Sequence, residues 1–277
     1  MEFNGATQVY GIMGNPVAHS LSPAMHNAAF AELGINCIYV PFPVTDVSSA
    51  MQGFKALGIQ GVSVTIPHKQ AVIPYLDSID PVAEKIGAVN TLQIENNRIS
   101  GFNTDWQGAN RALKLVTELA GKSVLVLGAG GSARAIGFGL LEENAKVTLA
   151  SRTPASGQNL AKDLNCNWLP LAEADTCHAD ILINATSVGM QPNQDQSPIA
   201  AKALSQFNVV MDIVYAPLRT KLLKEAEIAG CTTISGTEML LYQGVHQFEL
   251  WTGHEAPVDS MKKQLLMAIN PSQKSPL

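Results

Sequence analysis

Residues 122–134 read Lys-Ser-Val-Leu-Val-Leu-Gly-Ala-Gly-Gly-Ser-Ala-Arg. The apolar run Lys122–Leu127 reads as a buried strand, and a helical pattern opens after Gly131. Gly128, Gly130 and Ala133 fall on G-x-G-x-x-A spacing. Gly128 permits a tight turn, Gly130 lets a pyrophosphate approach the backbone, and Ala133 lets helix and strand pack closely. The helix N-terminus adds attraction for negative charge. Gly128, Ala129, Gly130, Gly131, Ser132 and Ala133 therefore form a candidate dinucleotide-binding turn. A glycine-rich turn alone is common, and the order strand, loop, helix is what favours the functional reading.

The next strand, Lys146–Ser151, bears on which dinucleotide. An NAD site places an acid about 20 residues beyond the glycines, on the ribose 2′-hydroxyl. Here the strand ends at Ser151-Arg152-Thr153 with no acid. A guanidinium beside hydroxyls suits a 2′-phosphate, so NADP is the expected cofactor. A solvated Arg at a strand end is the plain alternative.

Working outward, Asp180–Ala185 and Asn208–Ile213 continue the series of strands, and Asp105–Leu119 reads as a long helix before it. Upstream, Gln8–Gly14, Asn36–Phe42 and Gln60–Ile66 read as strands. Between them lie helices at Ala24–Leu33, with Ser22 as N-cap and Pro23 after it, and at Val47–Leu57. Residues 88–102 read as a hairpin turning at Asn96-Asn97. Helical patterns at Thr237–Trp251 and Val258–Ile269 close the chain, before a polar tail, Asn270 to Leu277, expected to fray. Strands alternating with helices imply an α/β fold with mainly parallel sheets.

The 277 residues suggest about two domains. With 46% hydrophobic and 15% charged residues, intrinsic disorder is excluded. The net charge of -5 and the absence of a Lys/Arg cluster argue against nucleic acid as a partner. Cys37, Cys166, Cys177 and Cys231 form no C-x-x-C, and the six histidines no H-x-x-x-H, so no metal site is expected. No signal peptide and no run of 18 apolar residues are seen, so no membrane contact and a cytoplasmic location are expected.

Polar residues gather at strand ends in the first half. Ser20 and Ser22 offer two hydroxyls at a helix head, a neutral site suited to a carboxylate, although Ser22 is also explained as a cap. Lys69 follows Pro67 near a helix start, where a cation does not help the helix. Asn90-Thr91 and Asn103-Thr104-Asp105 are further polar groups, and Asp105 could simply cap its helix.

These segments together resemble the shikimate/quinate dehydrogenase family. The resembling motifs are residues 11–16 (GIMGNP), 20–23 (SLSP), 64–69 (VTIPHK), 87–91 (GAVNT), 101–105 (GFNTD), the glycine loop, 151–153 (SRT), 184–190 (NATSVGM), 212–217 (DIVYAP) and 236–244 (GTEMLLYQG). The resemblance runs over about residues 8 to 269. It implies an N-terminal α/β substrate domain, residues 1–104 and 238–277, and a Rossmann-type NADP-binding domain, residues 105–237. It implies reversible reduction of 3-dehydroshikimate to shikimate, in aromatic amino-acid biosynthesis, with Lys69 and Asp105 as the catalytic pair. Ser20 and Ser22 then bind the substrate carboxylate, with Thr65, Asn90, Tyr215 and Gln243 on the rest of the substrate. Thr186, Ser187, Ile213, Gly236 and Met239 join the glycine loop and Ser151, Arg152 and Thr153 around the cofactor.

Two positions depart from the family pattern. Relatives often carry a second Arg four residues after the first, where this chain has Ser156. Trp106 stands where a Gly usually follows the N-T-D motif; its indole either narrows the pocket or packs away. A quinate or dual-specificity dehydrogenase and a non-catalytic NADP-binding regulator are the rival readings. Members occur as monomers or homodimers.

Overall fold

The computed structural model describes residues 3–269, so the tail expected to fray lies outside the described residues. The chain folds into two compact units. The first runs to Thr104 and resumes at Gln243; the second spans Asp105–Tyr242.

In the first unit β1 (Gln8–Gly14) connects through α1 (Ser22–Glu32) to β2 (Cys37–Pro43), and that through α2 (Val47–Ala56) to β3 (Gly61–Val64). Helical crossovers are what parallel pairing requires, and β1 lies between β2 and β3, parallel to each. Asp46 caps α2 by accepting the Ser48 N–H at 3.0 Å. Next come β4 (Ser78–Ile79) and α3 (Pro81–Ile86), neither of which the sequence reading anticipated. Asp80 caps α3 with Pro81 behind it, a signal that was available. The hairpin β5 (Thr91–Glu95) and β6 (Arg98–Phe102) turns at Asn96 and Asn97, both at positive φ, as a two-residue primed turn requires.

The sheet order is β2-β1-β3-β5-β6-β4. The hairpin makes it mixed: β5 runs antiparallel to β3 and to β6. Ser63 therefore pairs with Thr91, and Thr91 with Phe102. The end of β3, the start of β5 and the end of β6 meet along one edge. That edge carries the polar residues singled out above.

The second unit begins with α4 (Asp105–Lys114), shorter than the reading to Leu119. Val116 and Thr117 both donate to the Leu113 carbonyl, which ends the helix in a turn, and Leu115 and Val116 are exposed rather than core. Then follow β7 (Ser123–Leu127), α5 (Gly131–Glu142), β8 (Lys146–Ser151), α6 (Pro154–Leu164) and β9 (Asn167–Pro170). They are succeeded by β10 (Ile181–Asn184), β11 (Val209–Asp212), α7 (Lys221–Ile228) and β12 (Thr232–Ile234). The short strands β9 and β12 were not anticipated. The order β12-β11-β10-β7-β8-β9 is parallel throughout. Counted from β7 it is 3-2-1-4-5-6 when read from the β9 side, the doubly wound order, with its reversal between β7 and β10.

Leu125, Leu127, Leu182 and Val210 fill the core under this sheet. Truncating one of the leucines to Ala would cost about 2–5 kcal/mol. The helix α8 (Gly236–Thr252) starts in the second unit and ends in the first, where α9 (Val258–Ile269) packs on α1. Among the described residues no helix is long and apolar enough to cross a membrane.

Candidate functional site

In the first unit Ser22 is not the N-cap that the sequence suggested. Leu21 holds the cap position without a side-chain bond, and Ser22 is the first helical residue, buried. Ser20 takes over, its Oγ accepting the Ser22 N–H at 3.3 Å. Accepting leaves the Ser20 proton available for a ligand. Capping thus no longer explains Ser22, whose hydroxyl is in reach of the Tyr39 phenol.

Beyond β3 the chain turns sharply. The His68 N–H donates to the Thr65 carbonyl, and the Asn15 N–H to that of Ile66. His68 is buried, with Nε2 at 2.9 Å from the Val44 carbonyl; a carbonyl only accepts, so Nε2 carries the proton. The Lys69 carbonyl accepts the Val89 N–H at 2.8 Å. That bond places half-buried Lys69 beside the segment leading to Asn90.

Asn90 is the hub of a buried hydrogen-bond chain with a fixed direction. The Thr104 N–H donates to its Oδ1 at 2.8 Å, so its amide must turn the NH2 outward, to Gln243 Oε1 at 3.4 Å and Thr104 Oγ1 at 3.0 Å. Gln247 donates Nε2–H to the Asn90 carbonyl at 3.1 Å and to Thr91 Oγ1 at 2.9 Å. Thr91 passes its own proton to Asn90 Oδ1 at 2.7 Å. On the other side Tyr39 donates to Ser63 at 2.6 Å and Ser63 to Gln247 Oε1 at 2.7 Å. Backbone groups, which cannot reverse roles, pin this chain at Asn90. It brings Ser22, Asn90 and Gln243 together with three residues the sequence reading missed: Tyr39, Ser63 and Gln247. His26 stacks on Tyr39 at 4.4 Å and is wholly buried. Among the described residues neither of its ring nitrogens has a partner within hydrogen-bond geometry. Burial lowers its pKa to about 3, slightly opposed by the nearby Gln247 amide, so the ring is neutral.

In the second unit the glycine loop sits at the reversal of the sheet. Gly128 has φ +121, a conformation L side chains rarely adopt, and a Cβ there would lie 3.0 Å from the Ala185 carbonyl oxygen. Gly130 differs: it precedes α5 as its N-cap, and a Cβ there would meet no protein atom within 4 Å. The backbone is thus open to a group approaching from outside, as a pyrophosphate must. Ala133 is buried in the first turn of α5. Ala129, Gly131 and Ser132 are half-buried and Gly130 is exposed.

At the end of β8, Ser151 is committed within the protein. Its hydroxyl donates to the Thr153 carbonyl at 3.0 Å and accepts the Trp168 indole N–H at 3.0 Å. Arg152 and Thr153 are exposed, and among the described residues the Arg152 side chain has no ion pair or hydrogen bond. An unpaired guanidinium after an acid-free strand fits a 2′-phosphate. Ser156 is exposed in the first turn of α6.

Asp105 starts α4, buried, where the helix dipole favours a carboxylate. Trp106 packs edge-on against Phe138 of α5, with ring centroids 6.0 Å apart. The loop after β10 carries half-buried Thr186 and exposed Ser187; the loop after β11 carries Ile213 and Tyr215, whose phenol pKa is raised by burial. Gly236 is required by close approach, since a Cβ would strike the Ile213 and Val214 carbonyls. Met239 is buried in α8. Asn184 and Asp212, buried at the ends of β10 and β11, are joined by a hydrogen bond of 2.9 Å. The sequence reading assigned neither a role, though each is a polar residue closing an apolar strand.

Three family descriptions match the chain. Residues 12–92 match the shikimate dehydrogenase substrate binding domain, residues 110–215 shikimate / quinate 5-dehydrogenase, and residues 236–266 the shikimate 5′-dehydrogenase C-terminal domain. The shikimate dehydrogenase (NADP(+)) of Methanothermobacter thermautotrophicus is 48% identical over 278 residues, covering 96% of this chain and 98% of that protein. A crystal structure of a shikimate dehydrogenase in complex with NADP+ superposes with TM-score 0.90 at 42% identity, covering 97% of this chain and 98% of that one. The Thermus thermophilus shikimate 5-dehydrogenase in complex with NADP(H) and shikimate gives 0.88 at 37% identity, over 95% of this chain and 100% of that one. The chain belongs to the shikimate dehydrogenase family.

Proposed function

We propose that the protein catalyses the reversible, NADP-linked reduction of 3-dehydroshikimate to shikimate. The observation that carries this reading is the pairing of two sites of opposite character in one chain. One is a dinucleotide turn open at Gly130 with unpaired Arg152 nearby in sequence. The other is a set of neutral hydroxyls and amides, Ser20, Ser22, Asn90 and Gln243, with Lys69 as the neighbouring cation.

Bound NADPH supplies the hydride. Reducing a ketone also places negative charge on its oxygen, which must then receive a proton. The Lys69 ammonium stabilises that charge, and Lys69 and Asp105 together hold the proton for the oxygen. Ser20 and Ser22 take the substrate carboxylate through hydroxyls, aided by the start of α1. Thr65, Asn90, Tyr215 and Gln243 orient the ring. The fixed hydrogen-bond chain at Asn90 sets the direction in which this edge presents its donors and acceptors. Arg152 and Thr153 take the 2′-phosphate, with the glycine loop on the pyrophosphate and Thr186, Ser187, Ile213, Gly236 and Met239 lining the remainder. Most substrate groups belong to the first unit and the dinucleotide groups to the second.

The test is a kinetic comparison of shikimate and quinate, each with NADP and with NAD, read by the absorbance of reduced nicotinamide. Shikimate with NADP should be the most efficient pair. A preference for quinate with NAD would replace this reading by the dual-specificity one. NADP binding without any turnover would favour a regulator.

A further inference from the structure

The second unit contains a buried acid that the reaction does not use. Asp212 has no exposed surface, and among the described residues it has no cationic partner. Instead it accepts three hydrogen bonds. Asn184 Nδ2–H at 2.9 Å and the Val214 N–H at 3.0 Å reach Oδ1, and the Thr220 hydroxyl reaches Oδ2 at 2.7 Å. Burial pushes the carboxyl up to about 6, and these three donors oppose the rise.

The directions of these bonds propagate. The Val214 N–H is backbone and can only donate, so Oδ1 is an acceptor and Asn184 must turn its NH2 toward it. The Asn184 Oδ1 then faces the other way. It accepts the Thr186 N–H at 3.1 Å and the Thr186 hydroxyl at 2.6 Å. Thr186 has one hydroxyl proton, and this bond takes it, while its Oγ1 accepts the Val188 N–H at 3.1 Å. Thr186 therefore offers a ligand no donor from its side chain. Its methyl is turned to the glycine loop: a Cβ on Gly128 would lie 3.2 Å from Thr186 Cγ2 and 3.0 Å from the Ala185 oxygen. The sheet order puts β11, β10 and β7 side by side, so one carboxylate connects three adjacent strand ends.

We propose that Asp212 is a positioning residue for the dinucleotide: its Oδ1 orients Asn184 and thereby holds the Ala185–Thr186 segment against the glycine loop. The proposal rests on reading this unit as the NADP site. It assigns Thr186 a shape-setting role rather than a hydrogen bond to the cofactor. An ordinary structural staple would behave differently, because losing any of its bonds would act on stability alone.

The experiment titrates NADP directly onto the full-length chain, by calorimetry and without substrate, alongside thermal unfolding and steady-state kinetics. Asp212→Ala should weaken NADP binding by about tenfold, with KM for shikimate within about twofold of wild type. Asp212→Asn, whose amide oxygen can still accept from Asn184 and Val214, should restore most of the affinity. Thr220→Val removes the donor to Oδ2 and also the α7 cap that accepts the Leu223 N–H, and should lower the unfolding temperature while leaving NADP affinity unchanged. Thr186→Val, which removes the hydroxyl bonded to Asn184 and to the Val188 N–H, should weaken NADP binding about as much as Asp212→Ala does. Equal affinity in Thr186→Val and wild type would overturn the proposal, as would Thr220→Val losing as much as Asp212→Ala. A wild-type chain that binds no NADP would overturn the cofactor reading and this proposal with it; unaltered variants beside a binding wild type would overturn this proposal alone.

Discussion

Gln247 donates its side-chain N–H to the backbone carbonyl of Asn90 at 3.1 Å, tying α8 to the point where β5 begins. The same amide accepts from Ser63 and donates to Thr91, so both of its ends are in use. Gln247→Leu would strand the Ser63 hydroxyl and remove the donor that makes Thr91 point at Asn90. A loss of about 1–3 kcal/mol of stability is expected. A raised KM for shikimate with an unchanged KM for NADP should accompany it. Urea unfolding and initial-rate kinetics on the purified variant measure both.

Gly128 and Gly130 should respond differently to the same methyl group. Gly128→Ala meets a positive φ and a carbonyl at 3.0 Å, so stability and NADP binding should both fall. Gly130→Ala has room and an ordinary φ of -89, so stability should stay within about 1 kcal/mol of wild type. Its KM for NADP should nevertheless rise, because the methyl occupies the space left for the ligand. Parallel unfolding and kinetic measurements separate the two effects.

Arg152 is the cation expected on the 2′-phosphate, with Ser156 where relatives often have a second Arg. Arg152→Ala should reduce the preference for NADP over NAD by about tenfold or more. Stability should not change, since the side chain makes no ion pair among the described residues. The ratio of kcat/KM with the two cofactors gives the answer; an unchanged ratio removes Arg152 from cofactor selection.

Lys69→Ala should lower turnover by about 10²- to 10⁴-fold, the range of a lost acid–base group. Shikimate should still bind, because its carboxylate is held elsewhere. Calorimetric titration of the variant, set beside its turnover, checks this.

His26 should make the first unit sensitive to acid. Its folded pKa of about 3 lies below the unfolded value of 6.5. The unfolded chain therefore takes up the proton first, and stability present above pH 6.5 is lost as pH falls toward 3. The full loss is on the order of 4–5 kcal/mol. Asp212, with its carboxyl raised from 3.8 to about 6, acts in the opposite sense in the second unit over part of the same range. It contributes on the order of 3 kcal/mol, so the histidine dominates. Urea midpoints measured against pH should slope less steeply in His26→Phe, which keeps the stacking on Tyr39. An equal slope would show that His26 is not the group responsible.

Local signals were legible wherever the chain repeats them. Strand β8 was read to the residue because Lys146–Ser151 is apolar and flanked by polar turns, and α9 because its apolar spacing is regular. The three-residue β12 and the four-residue β9 carry too few residues to show alternation. Leu115 and Val116 extended the apparent helix of α4, since periodicity cannot tell an exposed apolar residue from a buried one. The glycine loop could be located because the strand, turn and helix that frame it are consecutive in the chain. Gln247 could not. Its partner Ser63 is 184 positions away, and an isolated Gln on a helix carries no local mark of burial. Asp212 was hidden for the same reason, its bond to Asn184 spanning 28 positions.

The reversal of β5 against β3 has a practical use. Asn90 stands at one end of the hairpin and the Asn96–Asn97 turn at the other, with the five residues of β5 between them. At about 3.4 Å per residue that is roughly 17 Å. The turn is exposed. A dye, an affinity peptide or a surface tether grafted there would report on or immobilise the protein at the end of the hairpin away from the polar edge.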